Sequence, residues 1–539
     1  MVLAKHSLEP VVAPFGQVMQ TLLDTNAECW QEPCSAAMVW TRPEDLFESY
    51  GRLMAGERVD LDAILGEVDA FCDAVLGLGE RVPMVLVASW IWPPERTGDA
   101  ILSLRAGAGG GAALYEMNAL LARRLSEAGN VYLLDAQRWI GQAGGQAFNP
   151  KLWYMAKVPY GKTVFKAAAR DIVDAMSTLR GGARKLVILD LDDTLWGGIV
   201  GEVGWENVTL GGHDPVGEAF VHFQRELKAL TRRGIILGIV SKNEESTALG
   251  AIEQHPEMVL RKDDFAGWRI NWTDKAQNVI ELTEELNLGF QSVVFIDDNP
   301  AERLRVAEAI PEVLVPDWPK DKLLYSSALL GLGCFDSVGV SDEDRTRTAM
   351  YGAERQRRDG QQSARSLDDW VASLGLTVTA EPLSEANLPR AAQLLNKTNQ
   401  MNLATRRMSE AELWAWSQQP GNMVWSFRVD DRFGSAGLTG LAGLELRDGV
   451  AHVTDYLLSC RVMGRRVEDS MVHTIIEHAR ASGASEVVFE FVPTAKNAPC
   501  LRWFQGSSMT PRGEHAFVWD ARKAHEAPKH VTIVSGADT

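Results

Sequence analysis

The 539-residue chain has few of the residues that build disulfide scaffolds or structural zinc sites. It contains six cysteines, and no two of them form a C-x-x-C pair. Such a sparse and scattered set argues against disulfide staples and zinc fingers. It is typical of a protein that works in a reducing compartment, so we expect the chain to be cytoplasmic.

Three further absences narrow the class of protein. No apolar run approaches the length that spans a membrane, and no signal peptide is visible at Met1. The formal net charge of −18 disfavours general binding to nucleic acid. No internal repeat is visible. The sequence therefore predicts neither a membrane nor a nucleic-acid partner, and its length allows two to four globular domains.

What the chain does have is an apolar strand that ends in acids. The run bounded by Lys185 and Asp190 is followed at once by Asp192, Asp193 and Thr194. Ligands of open α/β sheets bind beyond the carboxyl ends of the strands. Two carboxylates 4 Å apart repel by about 4 kcal/mol at an effective dielectric of 20. A run of acids there predicts a bound cation, and Mg²⁺ fits because it takes a few carboxylates plus phosphate.

Three later pieces complement these acids. Ser241 follows a second apolar strand, Lys275 opens a helical run, and Asp297 and Asp298 follow a third strand. Acids, a hydroxyl and a lysine at strand ends and helix starts are the parts of a phosphoryl-transfer site. In type and order they resemble the haloacid dehalogenase (HAD) superfamily, with Asp-x-Asp-x-Thr, then Ser, Lys and Asp-Asp.

The positions predict a role for each polar side chain. Asp190 is expected to attack phosphorus. Asp192 is expected to be the general acid and base, because neighbouring negative charge raises its pKa. Thr194, Ser241 and Lys275 are expected to bind phosphate oxygens.

The same reasoning predicts the cation ligands. We expect Asp190, Asp297 and the backbone carbonyl of Asp192 to hold Mg²⁺, with Asp298 behind them on Lys275 or the metal. Only a short Gly-rich segment, residues 196–212, and one helix separate the first strand from the second. This spacing predicts a small flap rather than a cap domain, and so an open site that admits a macromolecule or a tethered substrate.

Residues 1–180 read as an N-terminal α/β domain, with strands at 83–88 and 131–135 and a helix at 112–128. Domains at this position resemble SGNH-type hydrolases, which need a histidine base. No histidine occurs between His6 and His213. We therefore predict a degenerate SGNH-like domain without catalysis.

The rest of the chain, residues 326–525, reads as a third α/β domain. Arg461 and Gly464 precede a helix at 467–481, which resembles the pyrophosphate loop of GNAT acyltransferases. The arginine-rich stretch 341–366 is interpreted either as a dock for an acidic carrier protein or as a solvated helix face. Residues 526–539 are expected to be frayed. The predicted fold class is multi-domain α/β, with a central HAD-like Rossmannoid parallel sheet at 181–325.

Taken together, the chain resembles the FkbH-like proteins, HAD subfamily IIIC, of polyketide biosynthesis. The resemblance rests on the following segments: Leu189–Gly198, Val240–Asn243, Phe295–Arg303, Asn396-Lys397-Thr398-Asn399-Gln400-Met401-Asn402 and Ser459–Arg465. It departs from the family at Asp193, where Asn is frequent, and at Leu186, where Cys is frequent. The resemblance implies that 1,3-bisphosphoglycerate loses phosphate and that a glyceryl or related C3 acyl unit is loaded onto the phosphopantetheine arm of an acyl carrier protein.

Acyl transfer needs a thiol, and Cys460 is the candidate within the chain. Arg461 and a nearby helix start favour its thiolate, while a small buried cysteine is the alternative. Two other functions stay open: a small-molecule phosphatase or phosphotransferase without acyl transfer, and a non-catalytic assembly-line scaffold. Asp193 is interpreted as a solvated acid of a turn.

Overall fold

The computed structural model describes residues 8–14, 16–93, 100–337, 339, 342–398, 400–494 and 496–536. The chain divides into two compact units, Met1–Arg184 with Ser327–Gly339, and Lys185–Ser326 with Val340–Thr539. Met1, His6 and Asn399, which enter the sequence arguments above, lie outside the described residues. Within the described part of the chain, no helix has the length and apolar character needed to cross a bilayer.

The first unit is built on a parallel sheet of order β1-β2-β3, comprising β1 (Ala37–Val39), β2 (Val85–Ala88) and β3 (Val131–Leu134). Its helices are α1 (Val18–Leu23), α2 (Pro43–Leu46), α3 (Glu48–Met54), α4 (Leu61–Gly79), α5 (Gly110–Leu125), α6 (Ala136–Ala143), α7 (Pro150–Ala156) and α8 (Lys162–Ser177). The two strands predicted here and the helix at 112–128 are confirmed, with ends shifted by up to three residues.

The second unit begins with a parallel sheet of order β6-β5-β4-β7, comprising β4 (Leu186–Leu189), β5 (Ile236–Ser241), β6 (Phe265–Ile270) and β7 (Val293–Ile296). The helices of this region are α9 (Val200–Val203), α10 (Pro215–Thr231), α11 (Glu245–Gln254), α12 (Lys275–Glu285), α13 (Pro300–Ala309) and α14 (Tyr325–Leu330). β4, β5 and β7 are buried along their whole length. Burial on both faces of a parallel sheet explains their continuous apolar sequences.

The same unit continues into a mixed sheet of order β14-β15-β13-β12-β11-β10-β8-β16, with β9 on β12. Its strands are β8 (Leu376–Pro382), β9 (Met401–Asn402), β10 (Asn422–Asp431), β11 (Gly434–Arg447), β12 (Val450–Leu458), β13 (Glu486–Glu490), β14 (Thr510–Arg512), β15 (Ala516–Asp520) and β16 (Val531–Ser535). Its helices are α15 (Asp342–Ser363), α16 (Leu367–Leu374), α17 (Leu388–Lys397), α18 (Glu410–Ser417), α19 (Val467–Ala481) and α20 (Ala498–Gly506). The predicted α/β fold class is confirmed, while domain boundaries at 180, 325 and 525 stay a prediction.

The sequence motif that ends at Asn402 contributes the short strand β9 to this sheet. β12 pairs with β13 only as far as Val453, and beyond that point its edge pairs with β9. The Asn402 side chain donates to Thr398 O and accepts from Thr405 N, while its carbonyl accepts from the Asn497 amide. Asn402 therefore secures the turn that lays β9 on β12.

Several arginines of the arginine-rich stretch contact the protein itself, and binding of a carrier protein by this stretch stays a prediction. Residues 342–363 form α15, and three of its arginines bind groups of the same unit. Arg357 is buried and makes two hydrogen bonds to the Asp431 carboxylate, and Arg358 pairs with Glu285. Arg355 stacks on the Trp268 ring. These arginine side chains therefore connect α15 to elements of both sheets of the second unit.

The expectation that residues 526–539 are frayed is wrong for part of the segment. Val531–Ser535 form β16, which pairs in parallel with β8 in the register Val531 to Leu376. β8 would otherwise be an edge strand with unpaired backbone groups. The run from Val531 to Val534 consists of β-branched residues, which favour strands, so the polar residues around it concealed a signal that the sequence does carry. Residues 537–539 lie outside the described part.

Candidate active site

Parallel pairing brings three sequence-distant side chains to one edge of the β6-β5-β4-β7 sheet. Asp190 follows β4, Ser241 is the last residue of β5, and Asp297 follows β7. β4 lies between the other two and pairs with both. The carboxyl ends of the three strands therefore meet, which is the place where ligands bind in open α/β sheets.

Lys275 completes this group from the start of α12, whose first turn is capped by the Asp274 side chain. Its Nζ lies 3.0 Å from Asp190 Oδ1 and 2.6 Å from Asp297 Oδ2. The three side chains expose 5%, 9% and 0% of their surface. Burial alone would lower the pKa of Lys275, but the two carboxylates outweigh it and raise the pKa above its usual value. The lysine is therefore held as a cation.

The positive charge of Lys275 does not neutralise all the carboxylates around it. One oxygen each from Asp190, Asp297 and Asp298 lie within 4.8 Å of one another. Burial, followed by the charge of Asp190, raises the pKa of Asp297 to about 6 against the opposing effect of Lys275. Closely spaced carboxylate oxygens are the ligands that Mg²⁺ prefers. This donor set therefore fits a divalent cation.

The chain is similar to a phosphatase domain. The solved structure is the N-terminal part of the protein BF1531 from Bacteroides fragilis, which contains a phosphatase domain complexed with Mg. Sequence identity is 29% at a TM-score of 0.55, covering 62% of this chain and 87% of that one. No protein-family model matches the chain, and no curated protein matches it.

Acetyltransferase structures match shorter parts of the chain at low scores. The ribosomal-protein-S18-alanine N-acetyltransferase of Escherichia coli shares 13% identity, with a TM-score of 0.21 over 28% of this chain and 98% of that one. A GNAT-family acetyltransferase of Staphylococcus aureus Mu50 shares 7% identity, with a TM-score of 0.22 over 27% and 99% of the two chains.

The Asp192 carboxylate is held by the flap and by the loop after β5 rather than by the three-acid group. Its Oδ1 accepts hydrogen bonds from Trp196 Nε1 at 2.9 Å and Val200 N at 3.0 Å. Its Oδ2 accepts one from Asn243 Nδ2 at 2.9 Å. Burial is the main cause that raises the pKa of Asp192, with a smaller contribution from Asp190, while the three hydrogen bonds oppose it. The predicted direction of the shift is confirmed, but its main cause is burial.

Both predicted hydroxyls are buried in the site. Thr194 Oγ1 accepts a hydrogen bond from Asp298 N at 3.2 Å, and so joins the loop after β4 to the loop after β7. Ser241 Oγ accepts from Asn243 Nδ2 at 3.4 Å. Each hydroxyl keeps its own proton to donate. Binding of phosphate by Thr194 and Ser241 stays a prediction.

Two arrangements near the acids were not predicted from sequence. Arg303 Nη1 donates to the carbonyls of Asp297 and Asp298, at 2.8 and 2.7 Å, and so orients the loop that carries them. Lys322 Nζ donates to the Asp193 carbonyl at 2.6 Å and lies 3.5 Å from Asp298 Oδ2. Asp298 therefore contacts Lys322, which the sequence did not predict, while its place among the three acids agrees with the expected position beside the metal. Lys322 belongs to no motif, so only the tertiary structure reveals it.

The flap is as short as the spacing predicts. Within residues 196–212, it contains α9, a 3₁₀ turn at Trp205–Asn207 and an antiparallel bridge from Gly197 to Thr209. Gly198 has a φ of +95°, which favours glycine at this turn. The flap contributes Trp196 and Val200 to Asp192, so it also fixes the predicted general acid.

Cys460 is exposed, which rules out the alternative of a buried small cysteine. It opens a 3₁₀ turn, and its Sγ accepts from Asn287 Nδ2 at 3.6 Å. The backbone N–H of Gly464, in the loop compared with a pyrophosphate loop, already donates to Glu468 Oε1 at 2.7 Å. Cys460 is therefore accessible, but it does not belong to the group around Lys275.

Proposed function

We propose that this protein is a Mg²⁺-dependent HAD-type enzyme that dephosphorylates 1,3-bisphosphoglycerate and loads a glyceryl unit onto an acyl carrier protein. The observation that carries the phosphate chemistry is the Lys275 ammonium between Asp190 and Asp297, with Asp298 beside them. The similarity to a phosphatase domain complexed with Mg supports the same chemistry. The FkbH-like motifs support the acyl transfer.

Phosphate removal uses Asp190 and Asp192. A carboxylate oxygen of Asp190 forms a bond to phosphorus while the bond from phosphorus to the substrate oxygen breaks. Asp192 Oδ2, which has Asn243 as its hydrogen-bond donor, gives a proton to the leaving oxygen. It then takes a proton from the water that hydrolyses the aspartyl-phosphate, which releases inorganic phosphate. Mg²⁺ held by Asp190, Asp297 and Asp298 would offset the negative charge of the phosphoryl oxygens.

Loading requires a different set of bond changes. The thiol sulfur of the phosphopantetheine arm, directly or after Cys460, attacks the C1 carbonyl of the acyl phosphate. A carbon–sulfur bond forms, the carbon–oxygen bond to phosphate breaks, and the thiol proton leaves with the phosphate. The phosphate ester at C3 is then the substrate of Asp190. Its alkoxide leaving group needs a proton, which explains the need for an acid such as Asp192.

A second candidate is a phosphatase or phosphotransferase that acts on a small metabolite without acyl transfer. The solved structure with 29% identity favours it, because the N-terminal part of that protein contains a phosphatase domain. A non-catalytic scaffold has less support, since it gives no reason for Asp190, Asp297 and Lys275 to meet in a buried group.

One assay separates these functions. The full chain is incubated with 1,3-bisphosphoglycerate, Mg²⁺ and a carrier protein bearing phosphopantetheine, and the intact mass of the carrier is measured with released phosphate. A glyceryl mass on the carrier supports the proposal, and phosphate without carrier loading supports the second candidate. Asp190→Asn should abolish the Mg²⁺-dependent release of the C3 phosphate, which Asp190 attacks, and unchanged release of that phosphate in this variant would contradict both.

A further inference from the structure

Lys322 is a second lysine of the acidic group, and it contacts the two acids that Lys275 does not. Its Nζ lies 3.5 Å from Asp298 Oδ2 and 3.7 Å from Asp193 Oδ1, in addition to its hydrogen bond to the Asp193 carbonyl. Its side chain is 22% exposed, so the pairs are partly shielded from water. The Tyr325 hydroxyl donates to the same carbonyl at 3.2 Å.

The distances place the Lys322 ammonium in ion-pair contact with both carboxylates. One of them, Asp298, belongs to the acidic group that fits a divalent cation. The lysine therefore brings a positive charge to the edge of that group.

The charges form two bridges. Lys275 joins Asp190 to Asp297, and Lys322 joins Asp298 to Asp193. When the two lysines and the four aspartates are all ionised, the acids exceed the lysines by two charges. A divalent cation would neutralise this excess. Without Lys322 one negative charge would remain, and it would repel an anionic phosphate.

We infer that Lys322 is a positioning residue that balances Asp193 and Asp298, so that a phosphate anion can approach once a divalent cation is bound. The inference rests on the proposed function for the presence of a phosphate site. It gives a charged partner to Asp193, whose side chain is 45% exposed in a turn, as expected from sequence.

The test measures binding of Mg²⁺ and of inorganic phosphate to the full chain by calorimetry. Lys322→Met should weaken phosphate binding at saturating Mg²⁺ by about tenfold, and should tighten Mg²⁺ binding by about threefold, because the site gains negative charge. Adding Asp193→Asn to Lys322→Met removes the excess charge, and should return phosphate binding to within about twofold of the wild type. Lys320→Met is the matched control: it removes the same charge from an exposed neighbour and should change neither constant.

Each other outcome overturns the inference. Unchanged binding in Lys322→Met, or failure of Asp193→Asn to restore it, would show that Lys322 does not act through charge balance. If the wild type binds neither Mg²⁺ nor phosphate, the proposed function fails as well. If the wild type binds both but Lys322→Met does not alter them, only this inference fails. Should Lys322→Met not fold, Asp193→Asn alone must tighten phosphate binding, and an unchanged constant there overturns the inference.

Discussion

At the scale of single residues, the site shows how burial and charge act together on carboxylates. Neighbouring acids were expected to raise the pKa of Asp192, but loss of hydration is the larger cause. The same cause acts on Asp297, where it is partly offset by Lys275. Sequence spacing reports which acids are neighbours, whereas the degree of burial depends on what the folded chain packs around them.

Replacement of Lys275 should destabilise the protein in the absence of metal. Lys275→Met leaves two buried carboxylates without their cation, and a broken buried ion pair of this kind costs about 3 kcal/mol. The measurement is the free energy of unfolding in urea with EDTA present. The matched control is Lys242→Met, which removes a more exposed lysine paired with Glu302 and should cost less than about 1 kcal/mol. Equal costs in the two variants would contradict the buried pair.

Cys460 stays a predicted nucleophile, and its exposure makes the prediction testable. Cys460→Ala should lower carrier loading by on the order of a hundredfold, because the acyl group would lose its thiol acceptor on the enzyme. Mg²⁺-dependent release of phosphate at Asp190 should remain. Cys29→Ala, which changes a cysteine of the other unit, serves as the control. Loading at the full rate by Cys460→Ala would remove this residue from the mechanism.

At the scale of elements, the loop before α19 was expected to offer free backbone N–H groups to phosphate. It instead donates the Gly464 N–H to Glu468, a buried acid in the first turn of α19. Burial is the main cause that raises the pKa of Glu468, while the Gly464 hydrogen bond opposes it. A helix start can thus be satisfied by a side chain of its own first turn, and sequence similarity to a ligand-binding loop does not reveal that.

This raised pKa predicts a pH dependence of stability. The pKa of Glu468 is higher in the folded protein than in the unfolded chain. The contribution of Glu468 to the free energy of unfolding is therefore fully present below the pKa of the unfolded chain, and it is lost as the pH rises through the pKa of the folded protein. The side-chain amide of the Glu468→Gln variant cannot ionise. The unfolding temperature of Glu468→Gln minus that of the wild type should therefore increase from about pH 4 to about pH 8. Glu410→Gln, at an exposed first-turn acid of α18, should show no such trend. A constant or falling difference for Glu468→Gln would contradict the prediction.

At the scale of the whole molecule, the described structure forms two units, and the acidic group lies entirely in the second. A cation that binds only the folded form stabilises it by about 2.7 kcal/mol at one hundred times its dissociation constant. Mg²⁺ should accordingly slow amide hydrogen exchange in β4 and β7, and leave β1 to β3 unchanged. Hydrogen exchange with mass spectrometry locates the effect, and Asp297→Asn should abolish it. Equal protection of both units would contradict a single site in the second.

Much of the site was predictable from the sequence because parallel strands present their carboxyl ends at one edge. Apolar runs followed by Asp190, Ser241 and Asp297 are therefore enough to place these residues together. α19 was also located, at 467–481, because apolar periodicity is a local signal.

Other features were decided only by the tertiary structure. Lys322 contacts Asp193 and Asp298 from a segment with no motif, and Arg357 of α15 pairs with a buried acid of β10. β16, the last strand of the described chain, pairs with β8, the first strand of the mixed sheet. The exposure of Cys460 likewise depends on what packs around it. The sequence by itself determined the strands and the acids at their ends, because the apolar pattern of a strand and the residues that follow it are local properties of the sequence. Partners brought together from distant parts of the chain carry no local signal, so only the folded structure identifies them.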